Sequence, residues 1–192
     1  MSARGGTLSS PALSVTLRRE LAFVSPDLRR LDGVESEVLA LPFFSDLRPL
    51  RGAAGLVDWR MCGFLSKLLI RGRIDGSPGE LTLLPSGERL SVDKLLLVGL
   101  GPSDGFTPKR FDDALRHILE TATRARMRSC VIELPGRATG AIPAADAMER
   151  FLKIVRSFDE LDELILVEGQ MAQRAMDPVL ERERRRTRAR VG

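Results

Sequence analysis

Three glycine-bearing stretches stand where this chain could hold an anion: Gly52-Ala53-Ala54-Gly55, Gly99 to Gly105, and Gly136 to Gly140. Each lies between an apolar run that reads as a strand and an amphipathic run that reads as a helix. At such a junction backbone N–H groups point outward and the helix dipole favours negative charge, so a phosphate can be cradled without a charged side chain. Glycine also ends strands and permits tight turns, so each stretch alone is a weak signal. Asp58, one turn into the helix after the first stretch, either faces a ligand or complements the helix N-terminus. Thr139, Gly140 and Ala141 close the third stretch.

Other reactive side chains are sparse. The single histidine, His117, rules out most histidine-based metal clusters and leaves little for a catalytic triad. It falls off the apolar stripe of its helix and is expected in solvent. Cys62 and Cys130 form no CxxC pair and read as buried free thiols. Asp112 and Asp113 sit early in a helix with no further metal ligands nearby, so they read as complementing its dipole. No catalytic residue, metal or cofactor is expected.

Charge is unevenly placed. The formal net charge is +4, and residues 181–192 alone carry six Arg against two Glu. The remainder balances, so the high pI describes a tail and not a basic surface. Arg182, Arg184, Arg185, Arg186, Arg188 and Arg190 could meet nucleic-acid phosphates. The tail has no aromatic residue for stacking on bases, and docking on an acidic partner protein is the competing reading. Only four of the 30 basic residues are Lys.

The elements that must position these residues follow from periodicity. Residues 1–11 are rich in Gly, Ser, Ala and Pro and read as flexible. LSVTL from Leu13 and LAFVS from Leu21 read as strands, with Asp27 capping a short helical turn. The continuous apolar run EVLALPFF at 37–44 suits a strand covered on both faces. A helix is predicted over about 55–71, with Val57, Met61, Phe64, Leu65 and Leu68 on one face, widened by Trp59 and Cys62. Residues 80–85 and 93–99 read as antiparallel neighbours joined by a turn from Ser86-Gly87. Thr107 caps the next helix with Pro108 at its first position, and Phe111, Leu115, Ile118, Ala122 and Ala125 form its buried stripe. A strand at 129–134, a helix opened by Pro143 with Met148, Phe151, Leu152 and Val155 buried, and a strand at 163–168 follow. A helical segment runs to about Met176, and Asp177-Pro178 starts another. The alternation predicts an α/β chain: a three-layer α/β/α sandwich with a mixed sheet. One domain is expected over residues 12–176, with an Arg-rich helical tail at 177–192.

The stretch VLALPFFSDLRPL, the helix LVDWRMCGFL, then GELTLLP and above all DKLLLVGLG at 93–101 resemble the N-terminal domain of the leucyl aminopeptidases, peptidase family M17. That domain is itself macrodomain-like, and macrodomains bind ADP-ribose and its derivatives. RGAAGLVD at 51–58 resembles the glycine-rich loop before their second helix, and RATGAIP at 137–143 their other phosphate-side loop. On such a fold the first and third glycine stretches approach each other at one edge of the sheet, and the resemblance implies the candidate ligand set Gly52, Ala53, Ala54, Gly55, Asp58, Thr139, Gly140 and Ala141. The chain departs from the pattern in having Ala141-Ile142 where the second macrodomain loop carries Tyr-Gly. Pro42-Phe43-Phe44 stands where macrodomains carry an Asn pair, and the M17 metal-binding motif Asn-Thr-Asp-Ala-Glu-Gly-Arg does not occur.

The resemblance implies a non-catalytic domain that acts as a protein-interaction or ligand-binding module, its partner being a protein, a second copy, or a nucleotide-like ligand such as ADP-ribose. The alternatives are a macrodomain-type protein that binds or hydrolyses ADP-ribose adducts, and a DNA-binding accessory protein working through the tail. No run of about 18 apolar residues could span a membrane, and the N-terminal residues lack a secretory apolar stretch. A cytoplasmic location is the expectation.

Overall fold

The computed structural model describes residues 20–191. The expected flexible N-terminus and the LSVTL strand lie outside the described residues. The elements run β1 (Glu20–Val24), α1 (Leu28–Asp32), β2 (Ser36–Phe43), α2 (Gly52–Arg60), α3 (Phe64–Ile70), β3 (Leu81–Pro85), β4 (Val92–Gly99), α4 (Pro108–Arg124), β5 (Ser129–Ile132), α5 (Ala144–Val155), β6 (Glu163–Val167) and α6 (Gln170–Val191). Among the described residues one six-stranded sheet has the order β1-β6-β5-β2-β4-β3. Every pairing is parallel except β3 against β4. The sheet is mixed, as expected.

Apolar side chains alternate along each central strand and feed two separate cores. Val38, Ala40, Leu96, Val98, Cys130, Ile132, Leu164 and Leu166 face α4, α5 and α6, where Phe111, Leu115, Ile118, Phe151 and Leu152 meet them. Leu39, Leu41, Phe43, Leu95, Leu97, Val131, Ile165 and Val167 face the other way, toward Ala53, Val57 and Leu65 of α2 and α3. Burial on both faces explains why these strands read as continuous apolar runs. The result is the three-layer α/β/α sandwich.

Helix caps follow the residue types. Asp27 accepts from the Arg30 N–H at 3.0 Å, and Thr107 accepts from the Arg110 N–H at 3.3 Å with Pro108 opening α4. Four expectations need correction. The predicted helix at 55–71 is two helices, broken where Cys62 and Gly63 adopt positive φ (56° and 75°). The apolar period continues across the break, which hides it from the sequence. Cys62 is exposed, with its sulfur beside the Arg89 guanidinium, whereas Cys130 is buried. Ala125 is the exposed C-cap of α4 and not part of its stripe. Asp177-Pro178 starts no new helix: α6 runs through it, because Met176, Val179 and Leu180 form one buried face in the core shared with α5.

Candidate functional site

The carboxyl ends of β2 and β5 lie side by side at the centre of the sheet. Their outgoing chains, the start of α2 and the turn Gly136–Gly140, therefore meet above the sheet edge. This is the location that open α/β sheets offer a ligand. Gly52 has φ +59°, and a Cβ placed on it would lie 2.5 Å from the Ala138 methyl and inside the Glu133 carboxyl. The two loops touch only because that position has no side chain.

α2 begins without a capping side chain of its own, since its N-cap residue is Arg51. The cap comes from 80 residues away. The Ala53 N–H donates to Glu133 Oε1 at 2.8 Å. Glu133 directly follows the buried strand β5, is 3% exposed, and its second oxygen, Oε2, has no hydrogen-bond partner. Burial pushes this carboxyl up to about 8, against the pull of the Ala53 hydrogen bond; nearby Glu168 adds to the rise and Arg137 opposes it. At neutral pH the group is thus largely protonated.

A second buried acid, Glu168, follows the end of β6. It accepts from Arg137 through both oxygens (Nε–Oε1 2.8 Å, Nη2–Oε2 3.2 Å). Arg137 also donates to the Ile142 carbonyl at 2.7 Å. This paired guanidinium staples the Gly136–Gly140 turn to the sheet. Between these groups lies a cleft of about 460 Å³, lined by Pro26, Gly52, Glu133, Arg137, Glu168 and Met171 among others. On the other side of Glu133 a cavity of only about 20 Å³ is closed by Phe43, Phe44 and Leu50.

The sequence candidates divide accordingly. Gly52 lines the cleft, Thr139 lines the small cavity, and Ala53 supplies the N–H that Glu133 engages. Ala54 is buried, and Gly55 packs so closely on the Leu50 carbonyl that no side chain would fit. Asp58 turns away from the cleft and accepts from the Ser66 N–H at 3.0 Å, capping α3. Gly140 is exposed, and Ala141 faces a groove on the α4–α5 side instead. In the stretch 99–105 two glycines serve packing: Gly99 and Gly101 lie against the backbone and ring of the Gly76–Pro78 turn, with Gly101 N–H donating to the Gly76 carbonyl. Asp112 and Asp113 lie beyond the first turn of α4 and are ion-paired, to Arg150 at 2.9 Å and Lys109 at 2.6 Å. His117 is exposed, as expected.

Among the tail arginines, Arg182 pairs with Glu149 of α5 and Arg185 with Glu181, while Arg184 and Arg186 lie on the same continuous helix. Arg188 and Arg190 also belong to that helix. Part of the tail's charge is therefore neutralised within the fold. Among the described residues there is no group of three or more His, Cys, Asp or Glu side chains that could hold a metal ion, and no helix is long and apolar enough to cross a membrane.

Sequence reasoning missed Glu133, Arg137, Ala138 and Glu168. A signal existed: the buried strands SCVI and ELILV are each followed directly by an acid.

Comparison with known proteins agrees with this architecture. Residues 40–157 match the family model described as the cytosol aminopeptidase family, N-terminal domain. A probable cytosol aminopeptidase from Burkholderia multivorans is 31% identical over 100 residues, which is 52% of this chain and 19% of that protein. One from Methylobacillus flagellatus is 33% identical over 114 residues, 58% of this chain and 22% of the relative. The match thus spans about a fifth of the length of these relatives. Among solved structures, a mutant tomato leucine aminopeptidase aligns with a TM-score of 0.55 at 14% identity, covering 83% of this chain and 35% of the other. The Oceanobacillus iheyensis macrodomain with ADP aligns with a TM-score of 0.67 at 13% identity over 88% of this chain and 94% of its own. The fold is macrodomain-like.

Proposed function

We propose, for a chain that belongs to the cytosol aminopeptidase family through its N-terminal domain, that it serves as a non-catalytic binding module for a phosphate-bearing, nucleotide-like ligand. One observation carries this reading: the α2 N-terminus and the Gly136–Gly140 turn converge on a 460 Å³ cleft, and a carboxyl oxygen sits on the Ala53 N–H. A helix N-terminus that holds an oxygen acceptor is suited to hold a phosphate oxygen. The cleft volume falls within the range typical of small-molecule sites, about 300–1,000 Å³. That solved macrodomains of like fold carry ADP in the Oceanobacillus iheyensis and Trypanosoma brucei examples supports the choice of ligand class. A cytoplasmic location accords with the family.

Calorimetric titration with ADP-ribose at neutral pH tests the reading. Saturable heat at up to millimolar ligand is the expected outcome. A titration flat both for wild type and for Glu133→Ala, which clears the Ala53 N–H, would overturn it.

A second reading rests on a different surface. Trp59 is 73% and Ile70 84% exposed on α2 and α3, and a shallow depression of about 770 Å³ beside Trp59 includes Pro49, Leu50 and Cys62. A large exposed apolar side chain beside such a depression suits a protein-interaction surface. If that surface joins two copies, Trp59→Ser lowers the association measured by sedimentation. An unchanged monomer–dimer balance would remove self-association as its use.

A further inference from the structure

The cleft holds an acid where an anion-binding cradle would be expected to hold nothing of the protein's own. Glu133 Oε1 takes the Ala53 N–H, one of the first amides of the nine-residue helix α2. The carboxyl fills the space that the missing Gly52 side chain leaves. Its other oxygen is buried and unpartnered. A buried polar atom left so costs stability, so the arrangement is poorly explained as a device for stability alone.

We propose that Glu133 stands in for the ligand's own anion, and that a phosphate-bearing ligand binds by exchanging with it at the α2 N-terminus. The inference rests on the ligand reading given above. Sterically the exchange is open, since Glu133 also borders the 460 Å³ cleft and its side chain has that space to swing into. The rest of the cradle need not move. Arg137 remains held by both oxygens of Glu168, so the turn that faces α2 keeps its shape. The exchange trades a protonated carboxyl, which accepts one N–H, for a phosphate oxygen that the helix dipole favours more strongly.

The exchange has a proton signature. The groups around the Glu133 carboxyl are Glu168 from the end of β6 and Arg137 from the turn, and Arg51 at the head of α2 borders the small cavity with it. Buried, Glu133 keeps its proton to a pH of about 8. Swung into water it ionises as an ordinary carboxylic acid, and its proton passes to the buffer. Ligand binding at pH 7 therefore releases close to one proton.

Calorimetry with ADP-ribose and with inorganic phosphate, each in two buffers of different ionisation heat, tests the exchange on wild type, Glu133→Ala and Glu133→Gln. Glu133→Ala empties the cradle and is expected to bind both probes at least tenfold more tightly than wild type. With ADP-ribose, whose diphosphate carries no proton near pH 7, Glu133→Gln retains an acceptor for the Ala53 N–H and is expected to bind without releasing a proton, where wild type releases about one. If wild type binds and Glu133→Ala binds no tighter, the exchange is overturned while the ligand reading stands. Binding by Glu133→Ala alone supports the exchange and shows a site closed by its own side chain. Silence from all three proteins overturns both. Should Glu133→Ala lose its folded circular dichroism, the proton counts of wild type and Glu133→Gln decide: equal counts, or no binding by either, overturn the exchange.

Discussion

Beyond β4 the chain turns at Gly99 against the backbone of Gly76 and Ser77; beyond β2 it enters α2 at Gly52 against the side chain of Glu133. Both junctions join a buried parallel strand to a helix, and both need glycine because another group occupies the place of a Cβ. At the first that group is main chain, fixed by hydrogen bonds such as Gly99 N–H to the Glu80 carbonyl at 2.8 Å. At the second it is a side chain that can rotate away. The difference separates a glycine that closes a fold from one that borders a site. What matters is whether its neighbour can leave.

The largest expected contrast between the junctions is in pH dependence. Glu133 has its carboxyl raised from 4.5 to about 8 in the folded state. The folded protein therefore holds a proton that the unfolded chain gives up above about 4.5. The stability this group contributes is complete below that pH and is lost as pH rises toward 8, by at most about 1.4 kcal/mol per pH unit. Urea midpoints for wild type should fall between pH 5 and 8, and Glu133→Gln should flatten the slope. Parallel slopes would mean that Glu133 is not held neutral, and the contrast would collapse.

Arg137→Ala comes next. It leaves Glu168 buried without its partner and should cost about 3–5 kcal/mol in chemical denaturation. A loss under 1 kcal/mol would show that the turn facing α2 does not depend on the staple. Gly99→Ala probes the other junction and should cost about 1–3 kcal/mol, because fixed backbone blocks the new methyl. Gly140→Ala is its control: with φ +72° and open space around it, it should cost about 1 kcal/mol from backbone strain alone. The smallest effect is expected of Asp58→Ala, about 1 kcal/mol through the lost cap on α3, with the ADP-ribose titration unchanged. A weakened titration would return Asp58 to the ligand set.

The fold was legible because its strands are buried on both faces and its main helices are amphipathic. VLALPF of β2, KLLLVG of β4 and the α4 stripe of Phe111, Leu115 and Ile118 announce their roles locally. Asp27 and Thr107 likewise signal their caps. The site was legible only in outline. The two loops were identifiable from glycine spacing, but their chemistry comes from Glu133, Arg137 and Glu168, whose partners are remote in the chain. Nothing near Ala53 says that its cap arrives from the residue after β5. The break between α2 and α3 was hidden for a related reason, since Asp58 reaches eight residues forward to Ser66 while the apolar period passes undisturbed through Met61 and Phe64.

The sheet order also sets a timetable for folding during synthesis. β1 is the first described strand made, yet among the described residues it pairs with β6 alone, the last of them. The ribosome extends a chain at roughly 5–20 residues per second, so β1 emerges well before it has a partner. β2, β3 and β4 have no such wait, because they pair among themselves. That half can form a partial sheet while β5 and β6 are still being translated. β1 joins only when β6 is in place, and the cleft lined by Pro26 and Glu168 closes with it. The candidate cleft is thus completed only once β6 has been made, and a chain stalled before β6 carries the Gly52 junction without the Glu168 that lines it.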